Sequence, residues 1–222
     1  APAEGQRHAA PPASLDLTFS QWLRVDTLDA GDLTLDGGAA VTGIQVIDGR
    51  TVRYLLSVPD VEETYTYTLA AASVLDLQGD ANPAYQGTFL IDKTGPRVLA
   101  QIPAVQTSAP FSQLTFVFDE AIAPLSFNTS DITQFTGPGG TPLMTQLTGV
   151  NVSGNQATVT FNAQTAQGTY IMQIGPNIED LVGNKMDQNG NGTKGEPSDY
   201  YLATVDLESA DLTVTAVDPP DS

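Results

Sequence analysis

The chain has 222 residues, no cysteine, and a formal net charge of −18 from 26 acidic and 8 basic residues. The lack of cysteine excludes a disulfide framework, thiolate zinc sites and a cysteine nucleophile. This negative charge repels phosphate backbones, so we expect no nucleic-acid partner, and no apolar run approaches the roughly 18 residues that predict a membrane span.

The first stretch, residues 1–13, is rich in Ala and Pro and has no apolar periodicity. We predict a flexible N-terminal segment there, either a mature terminus or a linker, without the apolar h-region of a signal peptide. The only histidine, His8, lies in this segment, where we expect no core to orient it. Ser-His-Asp and similar catalytic triads are therefore not expected.

Residues 14–94 show the period-2 alternation of half-buried strands. Leu15, Leu17 and Phe19 alternate with polar residues, as expected of a strand with one buried face. Asp48-Gly49 predicts a tight hairpin turn, because glycine tolerates positive φ. Trp22 is interpreted as a partly buried packing residue, with an exposed sugar-stacking aromatic as the alternative. Further strands are predicted at 33–35, 41–46, 52–58, 64–69 and 87–92.

The same pattern begins again about 100 residues later. Leu114–Thr133 aligns on Leu15–Thr34 without a gap. A period of this length is about the size of one small domain and too long for a solenoid repeat. The recurring pairs are Leu15 and Leu114, Phe19 and Phe118, Asp32 and Asp131, and Thr34 and Thr133.

Both copies have short strands separated by turn signals, and no long segment has a 3.6-residue apolar period. This predicts an all-β fold with two tandem Ig-like β-sandwich domains joined end to end by the short stretch 92–96. We place the first sandwich at residues 14–94 and the second, which carries a calcium-type loop, at 95–208. Residues 209–222 are interpreted as a linker or the start of a further module.

The order of motifs resembles the bacterial Ig-like repeats of large secreted and surface proteins, including the Ig-like modules of S-layer proteins. That order is a strand, an acid-rich connector, DLTL or DIT, a hairpin, a Tyr-rich strand, D-L-x-G-N/D, a last strand and D-x-T-G-P. In addition, Ala210–Val217 is similar to the first strand of CARDB-type adhesion domains. The resemblance implies a non-catalytic spacer, adhesion or assembly module outside a bacterial cell. Its partners would be other domains of a longer chain or like subunits.

The best candidate site is the acidic, Asn- and Gly-rich stretch 187–199. Oxygen-bearing side chains at alternate positions followed by Gly192 match the first half of an EF-hand-type calcium loop. Ser198 stands where that loop has a bidentate glutamate, and Glu196 and Asp199 lie nearby as substitutes for it. Because two of the ligands are neutral Asn side chains, we expect weak binding, about 10⁻⁴ to 10⁻³ M. A solvated Asn/Gly turn also fits these residues. The candidate ligands are Asp187, Asn189, Asn191, Thr193, Glu196 and Asp199, with Asp180 as a weaker one.

Other carboxylates give weaker signals. Asp180 either supports the same ion or caps its own loop, and Asp76 is its counterpart in the first copy. Asp92, near the joint, is a further candidate ion ligand. Asp119 and Glu120 are adjacent on a strand and would point to opposite faces, which argues against a glycosidase pair.

Exposed aromatic residues support one alternative function. Trp22, Tyr85 and Tyr201 would suit the stacking of sugar rings if they are exposed. The chain would then be a pair of carbohydrate-binding accessory domains of a secreted glycan-active enzyme, with polysaccharide as its partner.

Overall fold

The computed structural model describes residues 5–209, which fold as strands and short 3₁₀ turns. The chain divides into two compact units, Ala1–Thr94 and Gly95–Ser222. The predicted all-β, Ig-like sandwich fold is confirmed. No helix in the described part of the chain is long and apolar enough to cross a membrane. The segment 210–222, with its CARDB-like resemblance, lies outside the described residues.

The first unit is a sandwich of a four-stranded and a three-stranded sheet. The strand order is β1-β7-β6-β3 in one sheet and β2-β5-β4 in the other. β1 runs parallel to β7, and the other neighbours are antiparallel. The strands are β1 (Gln6–His8), β2 (Ser14–Thr18), β3 (Leu33–Leu35), β4 (Ala40–Val46), β5 (Thr51–Ser57), β6 (Glu63–Leu69) and β7 (Tyr85–Ile91).

The second unit has two four-stranded sheets. Their strand orders are β12-β13-β10-β8 and β11-β14-β15-β9. The strands are β8 (Val98–Ile102), β9 (Gln106–Thr107), β10 (Phe111–Phe118), β11 (Ile132–Thr136), β12 (Leu147–Ser153), β13 (Gln156–Gln164), β14 (Gly168–Ile174) and β15 (Tyr201–Leu207). Apart from β8, each strand has a counterpart in the first unit with the same neighbours.

Each unit buries its own core between its two sheets. In the first unit, Val52, Tyr54, Tyr65 and Phe89 are fully buried from alternate strand positions. In the second, Phe116 and Phe118 are equally buried. Because burial of such a side chain contributes about 1.5–3 kcal/mol, these inward faces are the main source of stability.

The acid-rich connector forms a capped 3₁₀ turn in both units. The Asp29 side chain accepts a hydrogen bond from the Gly31 N–H, and Asp32 accepts one from the Asp29 N–H. Asn128 and Asp131 form the same capping box in the second unit. The recurrence of Asp32 as Asp131 therefore has a folding cause. The 3₁₀ turns are Val25–Thr27, Ala30–Asp32, Thr129–Asp131, Pro138–Gly140 and Met144–Gln146.

The predicted flexible segment 1–13 is wrong over residues 6–8. These residues form β1, paired with the last strand of the first unit from Phe89 to Ile91. His8 packs edge-on against Phe89, with ring centroids 6.2 Å apart, and its buried Nε2 has no hydrogen-bond partner in the part of the chain that the structure describes. This strand could not be predicted, because three residues are too few to show periodicity.

Trp22 and Gly49 also differ from expectation. Trp22 is 55% exposed, so it is more open to solvent than expected, although its ring still packs on the turn at Gly49. Gly49 is not among the positive-φ residues; instead, a Cβ at this position would overlap the Trp22 ring. The Arg50 guanidinium lies 5.6 Å from the ring centroid of Trp22. Close packing of Trp22 across the turn is therefore what requires glycine here.

Candidate metal centre

The candidate loop belongs to the long connection between β14 and β15 and is anchored to the second unit's core. Met186, directly before the loop, is fully buried, and its N–H donates to the Ile178 carbonyl. The Gln188 side-chain amide bonds both backbone groups of Val98 on β8, at 2.8 and 3.1 Å. The loop is thus fixed at its start by one apolar and one polar anchor.

Asp187 organises the first turn of the loop. Its Oδ1 accepts from the Asn191 N–H at 3.0 Å and its Oδ2 from the Gly192 N–H at 2.9 Å. Gly190 and Gly192 have φ values of +72° and +84°, so this turn needs glycine at both positions. A carboxylate offers about four lone-pair sites, which leaves Asp187 with capacity for a cation.

Glu196 is the centre of a second group of contacts. Its Oε1 accepts from Asn189 Nδ2 at 2.8 Å, Asn191 Nδ2 at 2.6 Å and Ser198 Oγ at 2.8 Å. These bonds, led by that from Asn189, hold the pKa of the Glu196 carboxyl below its usual value. Two predicted ligands and Ser198 therefore converge on the carboxylate predicted to replace the missing glutamate.

Asp199 is the buried acid of the site, with its residue fully shielded from solvent. Its carboxylate accepts backbone N–H groups from Glu196 at 3.1 Å and Asn189 at 3.4 Å. Within residues 5–209 it forms no salt bridge. Because buried charges are normally paired or bound to metal, this carboxylate fits a cation.

The remaining candidates have other contacts. The Thr193 N–H donates to Asn191 Oδ1 at 2.7 Å. Asp180 is buried and anchors its own turn, accepting from the Val182 and Asn184 N–H groups at 2.8 Å each. The ligand oxygens of Asp187, Glu196 and Asp199 do not all lie within 4.8 Å of one another. The structure thus brings the predicted residues into one loop, with their side chains hydrogen-bonded among themselves.

Two contacts of the site were not found in the sequence. From the sequence, Gln188 has no assigned role, although its amide fixes β8. Ser198 is there only a departure from the EF-hand pattern, although the Ser198 hydroxyl donates to Glu196. Neither residue carries a charge or a periodic signal, so only the folded loop reveals these contacts.

The aromatic candidates lie in different environments. Tyr85 is 42% exposed. Tyr201 is half-buried, and its hydroxyl lies 3.3 Å from Gln101 Oε1. Asp119 bonds the Arg97 backbone N–H at 2.8 Å and its guanidinium at 3.4 Å, which gives this carboxylate a structural role. Of the three aromatic candidates, Trp22 and Tyr85 therefore remain open to a ligand.

Comparison with known proteins gives one family. Residues 92–193 match the family model of the bacterial Ig-like domain. The match covers slightly less than half of the chain, from the end of the first unit into the candidate loop. A comparison with curated protein sequences finds no significant match.

Solved structures with a similar arrangement are distant in sequence. The N-terminal part of the bacterial S-layer protein SbsC is 12% identical, with 91% of this chain and 43% of that chain covered and a TM-score of 0.32. A chimeric titin Z1Z2 carrying a decorin peptide is 10% identical, with 90% and 82% covered and a TM-score of 0.30. An I-band fragment of titin is 7% identical, with 93% and 62% covered and a TM-score of 0.28. The chain spans less than half of the S-layer structure, and no function transfers at these scores.

Proposed function

We propose that the chain is a non-catalytic extracellular module that spaces or assembles a larger bacterial secreted or surface protein. The match of residues 92–193 to the bacterial Ig-like domain carries this proposal. The non-catalytic part of the proposal is supported by the structural roles of three acidic side chains. Asp32 and Asp131 complete capping boxes, and Asp180 anchors a turn. Its partners are other domains of a longer chain or like subunits.

We also propose that the loop at 187–199 binds calcium weakly and stabilises the second unit. Asp187, Glu196 and Asp199 supply carboxylates, Asn189 and Asn191 supply amide oxygens, and Thr193 supplies its carbonyl. Half-turn rotation of an Asn amide exchanges its oxygen and nitrogen, so both amides can present an oxygen ligand. Bound calcium would neutralise the buried Asp199 charge, which lacks a cationic partner in the described residues.

Calcium binding is tested by thermal unfolding and titration calorimetry of the whole chain. We expect the melting temperature of the second unit to rise at calcium concentrations of about 1–10 mM, because a ligand that binds only the folded state stabilises it. Asp199→Asn should abolish this rise. Asp80→Asn removes one charge from the first unit and serves as the matched control. In this variant we expect the calcium-induced rise in melting temperature to remain. No heat and no shift in the unchanged chain would refute the calcium site.

The exposed Trp22 favours one alternative, a carbohydrate-binding accessory domain. A flat, half-exposed indole next to Arg50 suits the stacking of a sugar ring. A pull-down on insoluble polysaccharides tests it, with Trp22→Ala expected to abolish retention. Leu125→Ala, at a position 95% exposed in the second unit, is the control. Equal retention of both variants would exclude Trp22 as the sugar platform.

A further inference from the structure

A lysine and an asparagine side chain of the second unit meet beside a buried carboxylate. Lys194 Nζ donates to Asn184 Oδ1 at 2.7 Å. On the other side of the amide, Asn184 Nδ2 donates to Asp180 Oδ2 at 2.8 Å. The amide of Asn184 therefore lies between a primary amine and a carboxylate, with its oxygen toward the amine and its nitrogen toward the carboxylate.

Backbone contacts hold these three side chains together. Asp180 Oδ1 accepts from the Asn184 N–H at 2.8 Å, and the Asp180 N–H donates to the Asn184 carbonyl at 2.9 Å. Gly195, directly after Lys194, donates its N–H to the carbonyl of the buried Met186 at 2.8 Å. The chain thus returns beside Met186, two residues after Asn184, and this brings Lys194 to the Asn184 side chain.

Water is largely kept from the amide and the carboxylate. Asp180 is 1% exposed and Asn184 6% exposed, whereas Lys194 is partly exposed. Exclusion of water strengthens electrostatic effects on the amide and limits its hydrolysis as a side reaction. A lysine amine is a nucleophile toward carbonyl carbon, and a fixed contact replaces the encounter of two separate molecules. The arrangement therefore favours transfer of the Asn184 acyl group to the lysine.

A second lysine–asparagine pair in the same unit lacks these features. Lys185 Nζ donates to Asn177 Oδ1 at 3.0 Å, but both residues are exposed, and no carboxylate among residues 5–209 bonds the Asn177 side chain. In the first unit, Asp80 takes the position of Asn184 in the duplicated turn and has no amide nitrogen to release. Burial and a carboxylate on the leaving nitrogen thus distinguish the Lys194 pair from a surface hydrogen bond.

We propose that Lys194 and Asn184 form an intramolecular amide cross-link, with Asp180 as the proton carrier. Lys194 Nζ attacks Asn184 Cγ with its lone pair, and an electron pair of the carbonyl moves to Oδ1. This pair returns as the Cγ–Nδ2 bond breaks, so an amide bond between Nζ and Cγ remains. Two protons pass from the lysine ammonium to Nδ2, delivered by Asp180 Oδ2, and the nitrogen leaves as an ammonium ion. No atom is oxidised or reduced.

The cross-link ties residue 184 to residue 194 within the long connection between β14 and β15. A covalent link of this kind limits the conformations of the unfolded chain and keeps the two joined positions from separating when the connection opens locally. The inference rests on the second unit alone and requires neither bound calcium nor a surface location.

Mass spectrometry of the purified, denatured whole chain tests the cross-link. We expect a mass lower than that of the sequence by one ammonia molecule. Lys194→Arg keeps the positive charge but lacks the primary amine, so it should have the full mass of its own sequence. Lys185→Arg, in the exposed pair, is the matched control and should still lose ammonia. Full mass in the unchanged chain, or loss of ammonia in Lys194→Arg, would overturn the proposal.

Peptide mapping locates the bond. Trypsin cuts after Lys and Arg, so an unlinked chain yields residues 98–185, 186–194 and 195–222 as separate products. We expect one branched product instead, 98–185 joined to 186–222, because trypsin does not cut after an acylated lysine. A succinimide at Asn189 or Asn191, each followed by glycine, also releases ammonia but leaves the three products separate. That outcome would overturn the proposal.

Asp180→Asn tests the proton carrier. The amide that replaces the carboxylate has the same size and still offers an oxygen to the backbone N–H groups of the turn, but it does not carry protons. We expect the cross-link to form about a hundredfold more slowly after refolding, as followed by the loss of ammonia with time. An unchanged rate in the folded variant would contradict the role of Asp180. If this variant does not fold, Lys194→Arg and its control decide the proposal alone.

Discussion

Among the described residues of the first unit, two buried polar atoms have no hydrogen-bond partner, the Tyr54 hydroxyl and His8 Nε2. Burial, with a smaller contribution from Asp32, raises the pKa of Tyr54 to about 12. Burial lowers the pKa of His8 below its ordinary value of 6.5. Each atom has lost water without gaining a partner, so at the residue scale these two positions reduce the stability of the first unit.

Removal of the Tyr54 hydroxyl should stabilise the first unit by about 1 kcal/mol, because it removes an unsatisfied buried group and leaves the ring packing intact. Tyr65→Phe is the control: the Tyr65 hydroxyl bonds the Pro59 carbonyl at 3.2 Å, so its loss should destabilise. Urea unfolding followed by the fluorescence of Trp22, the only tryptophan, reports on this unit. A loss of stability in Tyr54→Phe equal to that in Tyr65→Phe would show that the hydroxyl is bonded after all.

His8 predicts a pH dependence. Because the folded pKa lies below the unfolded one, the unfolded chain binds more protons as pH falls below about 6.5. The first unit should therefore lose stability as pH falls from 6.5 toward the folded pKa of His8, and this contribution should level off below it. His8→Gln should remove that part of the loss in urea unfolding compared at about pH 7.5 and 5. The same loss in both chains would exclude His8 as its source.

At the element scale, the D-L-x-G-N/D turn has one geometry in both units. Asp76 Oδ1 accepts from the Gln78 and Asp80 N–H groups, as Asp180 Oδ1 does from Val182 and Asn184. The turn glycines, at 79 and 183, have φ values of +90° and +93°. The duplicated motif is therefore explained by turn formation, with the acid as its anchor.

The two turns differ in burial, so we expect their acidic anchors to contribute different amounts to the free energy of unfolding. Asp180→Ala should destabilise the second unit by about 2–3 kcal/mol, because it leaves N–H groups and the buried Asn184 side chain without their acceptor. Asp76→Ala should cost the first unit less, since this turn is closer to solvent. Scanning calorimetry of both variants checks the order. Equal losses would mean that burial does not set the difference.

The strands and turns could be predicted from the sequence because period-2 alternation and glycine-rich turns are local signals. Leu15, Val52 and Tyr54 are buried as their alternation required. Contacts that depend on distant chain segments could not be predicted: the packing of Trp22 on Gly49 and the hydrogen bonds of Gln188 to β8. For the candidate loop, the sequence shows which oxygen-bearing residues lie close along the chain but not how their side chains pair.

At the scale of the whole molecule, one sandwich plan occurs twice, and each copy has its own hydrophobic core. A unit with its own core can fold alone. The duplicated capping boxes and turns lie wholly inside one unit or the other, so neither copy needs the other to complete its local structure. A chain built this way suits a spacer whose modules are added or removed singly.

The most direct test is to express residues 1–94 and 95–222 as separate chains and follow the unfolding of each by scanning calorimetry. We expect each fragment to unfold in a single cooperative transition and to show dispersed amide signals in its NMR spectrum. The melting temperature of 95–222 should rise in calcium. If either fragment is unfolded under conditions where the whole chain is folded, the description of two autonomous Ig-like units is wrong.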